Sequence, residues 1–220
     1  MKTSNKLLLS FIGLIILLML LSDAVIWANY KNGKAGDGPL KEDIISNKLI
    51  PLKEFKVLKI DGIEHHRLSV FQSEKYEIEY WGDEKTPVRY SYNGDTLLMT
   101  VLEEWKCNLK CPVLNTVILS AANVNLNKFE LPRLSIQADK GCKIEVIDMN
   151  IGRFDVQGKG GNELTIFRGE SKIDSLQLKF GKGSVVKSFD VPYKYISMDV
   201  DSLKELQLTG QSLSGMKQIK

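Results

Sequence analysis

Between Leu134 and Leu208 the chain repeats one short unit, in which apolar residues flank a polar one and a turn follows, returning about every ten residues. The copies are Leu134-Ser135-Ile136, Ile144-Glu145-Val146, Phe154-Asp155-Val156, Leu164-Thr165-Ile166, Leu176-Gln177-Leu178, Val185-Val186, Ile196-Ser197-Met198-Asp199-Val200 and Leu206-Gln207-Leu208. A unit this short cannot bury its apolar side alone, so the copies must stack on one another. The pattern predicts an all-β, single-stranded β-solenoid (β-helix). Within it Ile144, Val156, Ile166 and Leu178 point inward in rows, and Thr165 points to solvent.

The strand pattern begins earlier. Phe55, Val57, Leu58 and Ile60 lead to Asp61-Gly62, and Leu68 and Val70 follow. Tyr76, Ile78 and Tyr80, then Val88, Tyr90 and Tyr92, alternate between turns at Ser73-Glu74-Lys75 and Gly82-Asp83-Glu84. Period-two alternation of β-branched and aromatic residues between such turns predicts half-buried strands. Asn93-Gly94-Asp95 is a strong turn, and Leu97, Met99 and Val101 form the strand leaving it. The mixed stretch from Lys41 to Lys53 is expected to add one short helical turn at the end of the rod.

Ahead of this body lies an uncharged run from Leu7 to Leu21, whose apolar character continues past Asp23 to Ala28. A spanning helix needs about 20 apolar residues, and Trp27 and Tyr30 would sit at the interface where amphipathic aromatics collect. Asp23 lies close to the exit end, within reach of headgroup water. A cleaved signal segment ending at Ala28 is the competing reading; the length of the run favours a retained anchor. The expected organisation is an anchor or signal segment over 1–28, a linker over 29–40 carrying Asn32-Gly33, Gly36, Gly38 and Pro39, and a β-solenoid domain over 41–220. The short N-terminal tail favours a single-pass inner-membrane protein with its C-terminal domain in the periplasm or cell exterior.

The formal charge is +3 over 220 residues, and Lys and Glu alternate through the solvent positions. Nucleic acid is not an expected partner, because phosphate binding needs a concentrated basic face.

The order Phe55-Lys56-Val57-Leu58-Lys59-Ile60-Asp61-Gly62, Leu68-Ser69-Val70-Phe71-Gln72-Ser73, Tyr76-Glu77-Ile78-Glu79-Tyr80 and Tyr92-Asn93-Gly94-Asp95-Thr96-Leu97 resembles the opening of the GIN-domain family. That family takes its description from an auto-transporter adhesin head domain and is common in Bacteroidetes-type envelope proteins. The resemblance runs from about Leu52 to the C-terminus and implies a β-helical body and an adhesin-like role. It rests on strand and turn positions, and the chain departs from the family at Ile63-Glu64-His65-His66-Arg67 and in its cysteines.

Several residues invite chemistry. Cys107 and Cys111 enclose Asn108-Leu109-Lys110, with Pro112 following. In an extended strand their Cα atoms would lie about 13 Å apart, whereas a tight loop brings them to the roughly 5.5 Å of a disulfide. Pro112 and Asn108 favour the loop, so a disulfide is expected outside the cytoplasm, with two reduced, partly buried thiols as the alternative. Cys142 reads as interior packing. His65 and His66 are adjacent, and neighbouring strand residues face opposite ways, so a shared metal ion is not expected. Gly158-Lys159-Gly160-Gly161-Asn162 precedes a strand where a phosphate-binding loop precedes a helix, so it reads as a turn between rungs. Tyr76, Tyr80, Trp81, Tyr90 and Tyr92 are expected to be mainly core. Asp148, Asp155 and Glu163 are the carboxylates to consider for catalysis, yet they fall on different units. No catalytic residue, metal or cofactor is therefore expected. The functional expectation is a membrane-anchored, non-catalytic interaction module meeting an envelope protein or polysaccharide. A carbohydrate-active β-helix enzyme and an envelope-sensing accessory protein are the alternatives.

Overall fold

The computed structural model describes residues 3–31, 48–62, 66–81, 87–102, 107–214 and 216–219, which fall into two units, Met1–Ser46 and Asn47–Lys220. The described residues of the first unit form one helix, α1 (Thr3–Lys31). Its Phe11–Ala28 stretch has a mean hydropathy of 2.4 and its side chains are exposed. Eighteen residues rise about 27 Å as a helix, close to the thickness of a bilayer's hydrocarbon core. The linker expected over 29–40 lies mostly outside the described residues.

The second unit is built of strands: β1 (Lys48–Pro51), β2 (Val57–Gly62), β3 (Arg67–Gln72), β4 (Glu77–Tyr80), β5 (Val88–Asn93), β6 (Thr96–Val101), β7 (Cys107–Cys111), β8 (Thr116–Ser120), β9 (Asn123–Asn127), β10 (Glu130–Ala138), β11 (Lys143–Ile147), β12 (Asn150–Gly158), β13 (Glu163–Phe167), β14 (Lys172–Phe180), β15 (Ser184–Phe189), β16 (Tyr193–Val200), β17 (Leu203–Thr209) and β18 (Met216–Ile219). They form two sheets. Sheet A runs β1-β4-β7-β3-β9-β11-β13-β15-β17, and sheet B runs β18-β16-β14-β12-β10-β8-β2-β6-β5. The short helical turn expected within 41–53 is replaced by β1 over its described part, because Lys48–Pro51 pairs antiparallel with β4.

From β8 onward consecutive strands alternate between the sheets, so one full coil takes two of the short units. Parallel register makes this explicit: Asn123 pairs Lys143, Lys143 pairs Glu163, Glu163 pairs Val185 and Val185 pairs Glu205. The structural period is therefore close to 20 residues, with one coil of 22 and a step of 19 from β8 to β10, where Thr116 pairs Ser135. The ten-residue repeat is half a coil, and each unit stacks on the next but one. The two extra residues fall at the corner Arg168-Gly169-Glu170-Ser171, between β13 and β14.

The inward rows follow this register. Leu68, Val124, Ile144, Leu164 and Val186 form one row in sheet A, and Val70, Leu126, Val146, Ile166 and Ser188 form the next. In sheet B, Leu97, Leu58, Val117, Ile136, Val156, Leu178 and Met198 form a third. Ile144, Val156, Ile166 and Leu178 are all buried, as the alternation predicts. The sixth copy is shifted, however: Val186-Lys187-Ser188 holds the register, and Val185 faces outward. Ser188 is tolerated inside because its hydroxyl bonds to Tyr193 Oη at 2.7 Å and to Ser212 Oγ at 2.9 Å. Burial in turn pushes the Tyr193 phenol well up.

Where the backbone leaves one sheet for the other it loses its ladder partners, and side chains of the next coil replace them. Phe129 N donates to Met149 Sδ, Met149 N to Ser171 Oγ, and Val191 N to Ser212 Oγ. At the opposite corner Cys142 N donates to Asn162 Oδ1 and Asn162 N to Ser184 Oγ. The αL residues Asp148 and Asp190 receive Glu170 N and Gln211 N on their carboxylates. Gly169 and Gly210, at φ +37° and +56°, lie so close to those carboxylates that a Cβ at either position would clash with Oδ1.

The first coils are not in sequence order. The rung β2/β3 sits between β6/β7 and β8/β9, while the antiparallel pairs β1–β4, β4–β7 and β5–β6 close the N-terminal end. Gln72, at the end of β3, stitches this crossing together. Its Nε2 donates to Pro112 O at 3.0 Å and its Oε1 accepts Glu130 N at 2.9 Å.

Thr165 lies on the outer face as predicted, but it is 8% exposed and not freely solvated, because Glu145 and Lys187 flank it in the ladder. Replacing Ile166 with Asp is expected to cost about 4 kcal/mol or more and to abolish the cooperative transition. Thr165→Asp should cost less than about 1 kcal/mol, since a carboxylate there meets Glu145 on one side and Lys187 on the other. Thermal unfolding followed by circular dichroism distinguishes them. Gly169→Ala should lower stability by about 2 kcal/mol in the same assay, from its positive φ and the nearby Asp148 carboxylate.

Candidate functional site

The three carboxylates singled out in the sequence are not brought together. Asp148 occupies a corner after β11, Glu163 lies on the outer face of sheet A, and Asp155 lies on the outer face of sheet B. Asp148 has a structural task in its bond to Glu170 N. Glu163 is 3.8 Å from both Lys143 and Lys187, and Lys187 also reaches Glu205 at 3.5 Å. On the same sheet Arg67 pairs with Glu145 at 3.1 Å, and Lys110 lies 3.1 Å from Glu79 and 3.6 Å from Glu77. Sheet A thus presents a lattice of matched charges.

Sheet B is different. Arg133 and Arg153 are direct partners on adjacent strands, as are Ser135, Asp155 and Gln177 in the neighbouring row. Asp155 is 7% exposed despite facing outward, because both arginines fold over it. Arg153 Nε donates to Oδ1 and Oδ2, each at 3.0 Å, and Arg133 Nη2 donates to Oδ2 at 2.9 Å. Arg153 Nη2 reaches on to Gln177 Oε1 at 2.9 Å. One carboxylate therefore engages both guanidiniums, Arg153 through both its oxygens and Arg133 through one, while about half or more of each side chain faces water, 63% for Arg133 and 48% for Arg153. A shallow groove of about 330 Å³ runs over this network, floored also by Gln157, Lys179 and Asp199. The 20-residue spacing of Arg133 and Arg153 is the signal that would have revealed the pair. The half-coil period concealed it.

The remaining sequence candidates occupy structural positions. Cys107 and Cys111 are the two ends of β7 and both point inward, free and buried. The tight loop needed for a disulfide is not formed. Four residue steps of extended strand separate the Cα atoms by about 13 Å, beyond the reach of a bridge. Burial pushes both thiols up to about 12. Cys142 is fully buried at a corner, and burial raises its thiol as well. His65 lies outside the described residues; His66 precedes β3 and carries a buried Nδ1 without a hydrogen-bond partner. Among the described residues no group of three His, Cys, Asp or Glu side chains is gathered as metal ligands. Gly158–Asn162 is the turn between β12 and β13, and Lys159 Nζ is bound to Asp139 at 2.6 Å.

The aromatic residues do not form one patch. Tyr76 packs edge-on against Phe55 at 5.1 Å, and Tyr80 packs on the core beside β1. Tyr92 packs on the core from sheet B and accepts Lys53 N on its hydroxyl, leaving Tyr90 exposed.

No protein-family description matches this chain, and no curated protein matches it. Three solved structures, each described as that of a "putative adhesin", are similar in backbone. One from Bacteroides fragilis shares 13% identity with a TM-score of 0.48, over 73% of this chain and 94% of that one. One from Parabacteroides distasonis shares 16% with a TM-score of 0.38, over 71% and 78%. One from Parabacteroides merdae shares 17% with a TM-score of 0.36, over 76% and 93%.

Thiol labelling tests the cysteine geometry. At pH 8 a group titrating near 12 is almost wholly protonated, so iodoacetamide should leave Cys107 and Cys111 unmodified in the folded protein. Without reductant, denaturant should expose both to labelling. A pair that labels only after reduction would establish the disulfide instead.

Proposed function

We propose that this chain is a membrane-anchored envelope protein whose solenoid is a non-catalytic, adhesin-like interaction module. The observation that carries the reading is the separation of the carboxylates. General acid–base work needs titratable groups within hydrogen-bond reach of one substrate. Asp148, Asp155 and Glu163 occupy a corner and two different sheets, each engaged with its own partners. The ladders instead yield long, regular outer faces with fixed polar side chains, which suit recognition of an extended partner. Placement in the GIN-domain family is part of the same reading. It is supported by the strand and turn order from Phe55 to Leu97, which includes the Gly94 hairpin turn at positive φ and the inter-rung role of Gln72.

In this reading α1 is retained and crosses the inner membrane once, with the N-terminus in the cytoplasm and the solenoid outside. The length and apolarity of Phe11–Ala28 support a span, and a signal segment has the same composition. Mass analysis of the membrane-extracted protein is expected to find residues 1–28 present. A mature chain beginning at Asn29 would replace the anchor with an exported soluble domain. In a screen against envelope polysaccharides and peptidoglycan, the full chain should bind without turnover. Turnover that disappears in Asp155→Asn would establish the β-helix enzyme instead.

A further inference from the structure

We propose that the groove on the outer face of sheet B binds an acidic polysaccharide, with Arg133 and Arg153 receiving its anionic groups. The inference rests on the interaction-module reading and names the ligand class for that module.

Charge is the first argument. On sheet A, Arg67, Lys110, Lys143 and Lys187 each face at least one carboxylate. In the sheet B groove, Arg133, Arg153 and Lys179 face Asp155 and Asp199, with Lys179 Nζ 3.9 Å from Asp199. Three cations against two carboxylates leave one positive charge, enough for one acidic substituent on the segment of ligand in contact. Asp155 spends both oxygens in fixing the guanidiniums, so the arginines are held in place before a ligand arrives, which lowers the ordering cost of binding. A guanidinium presents five N–H donors in a planar fork that matches carboxylate and sulfate oxygens.

Chemistry beyond charge is the second argument. The adjoining row is Gln137, Gln157, Lys179 and Asp199, and the row through the arginines continues to Ser175 and Tyr195. Planar amides and hydroxyls in register offer paired donors and acceptors to sugar hydroxyls, and a half-buried tyrosine offers a ring face. Neighbouring strands lie about 4.8 Å apart, so each row repeats a polar group along the rod axis, as an extended chain of sugars requires.

The test uses the full-length chain in detergent micelles and measures binding to alginate, an acidic polysaccharide, with neutral dextran and duplex DNA as the other arms. The wild type should bind alginate in a salt-sensitive manner and bind dextran and DNA at least about tenfold more weakly. Arg133→Gln removes one fork while leaving Asp155 paired with Arg153, so the fold should persist; alginate affinity should fall about tenfold or more. Gln157→Glu, which deletes no contact named above, should also weaken it. Lys143→Gln, on sheet A, should leave it unchanged, and circular dichroism should find all three variants folded. Absence of alginate binding, equal binding to dextran or to DNA, or wild-type affinity in Arg133→Gln would each overturn the proposal. The module reading fails separately, on turnover in the polysaccharide screen.

Discussion

Every part of the solenoid depends on parallel strands staying in register from one coil to the next. A parallel ladder satisfies backbone N–H and C=O groups only if the neighbouring coil places a strand at the same height, and one residue of slip would turn each apolar row outward. A step close to 20 residues, from 19 between β8 and β10 to 22 between β13 and β15, meets this demand. The single coil of 22 accommodates its surplus at the corner Arg168–Ser171, where the ladder is already interrupted. Corner side chains then complete the accounting. Asn162, Ser171, Ser184 and Ser212 accept backbone donors that the sheets cannot reach, and Asp148 and Asp190 do the same on the outside. These four polar residues are thus structural acceptors placed where the backbone turns, whereas Ser188 lies within β15 and is satisfied by two side-chain hydroxyls.

The same constraint explains the outer surface. Because strands are in register, a side chain recurring at the coil period becomes a row. Glutamates and lysines in adjacent positions neutralise one another across sheet A. Across sheet B the row brings Arg133 beside Arg153 with Asp155 between them in the next row, which buries a carboxylate on a nominally solvent-facing position. The distinction between the two faces arises from a few residue choices on an otherwise uniform scaffold.

Local alternation made much of the fold legible. The repeat from Leu134 onward marked the strands and the inward residues, since burial on one face leaves a direct period-two imprint. It does not tell which sheet a strand joins, so the half-coil stands out in the sequence as the repeat. Ser188 leaves no local signal of burial, because its hydroxyl is satisfied by Tyr193 and Ser212, residues that no local pattern links to it. The insertion of β2/β3 between later strands is a long-range pairing choice with no local trace. Pro112 suggests a loop at the cysteines, whereas Leu109 between Cys107 and Cys111 completes an alternating inward set that favours the strand. The site is less legible than the fold: Asp155 stands out as a carboxylate within a repeat unit, but its partner Arg133, 22 residues away, becomes visible only with the full coil.

The 20-residue coil is the claim on which the rows, the corners and the groove all stand. Cross-linking of paired cysteines tests it most directly. Gln137 and Gln157 are partners on adjacent parallel strands of sheet B, with Cα atoms about 4.8 Å apart. Gln137→Cys combined with Gln157→Cys should therefore close a disulfide under mild oxidation in the folded protein. Gln137→Cys with Ile147→Cys, ten residues apart in sequence and on opposite sheets, should remain reduced. Rapid closure of the ten-residue pair with none of the twenty-residue pair would contradict the coil.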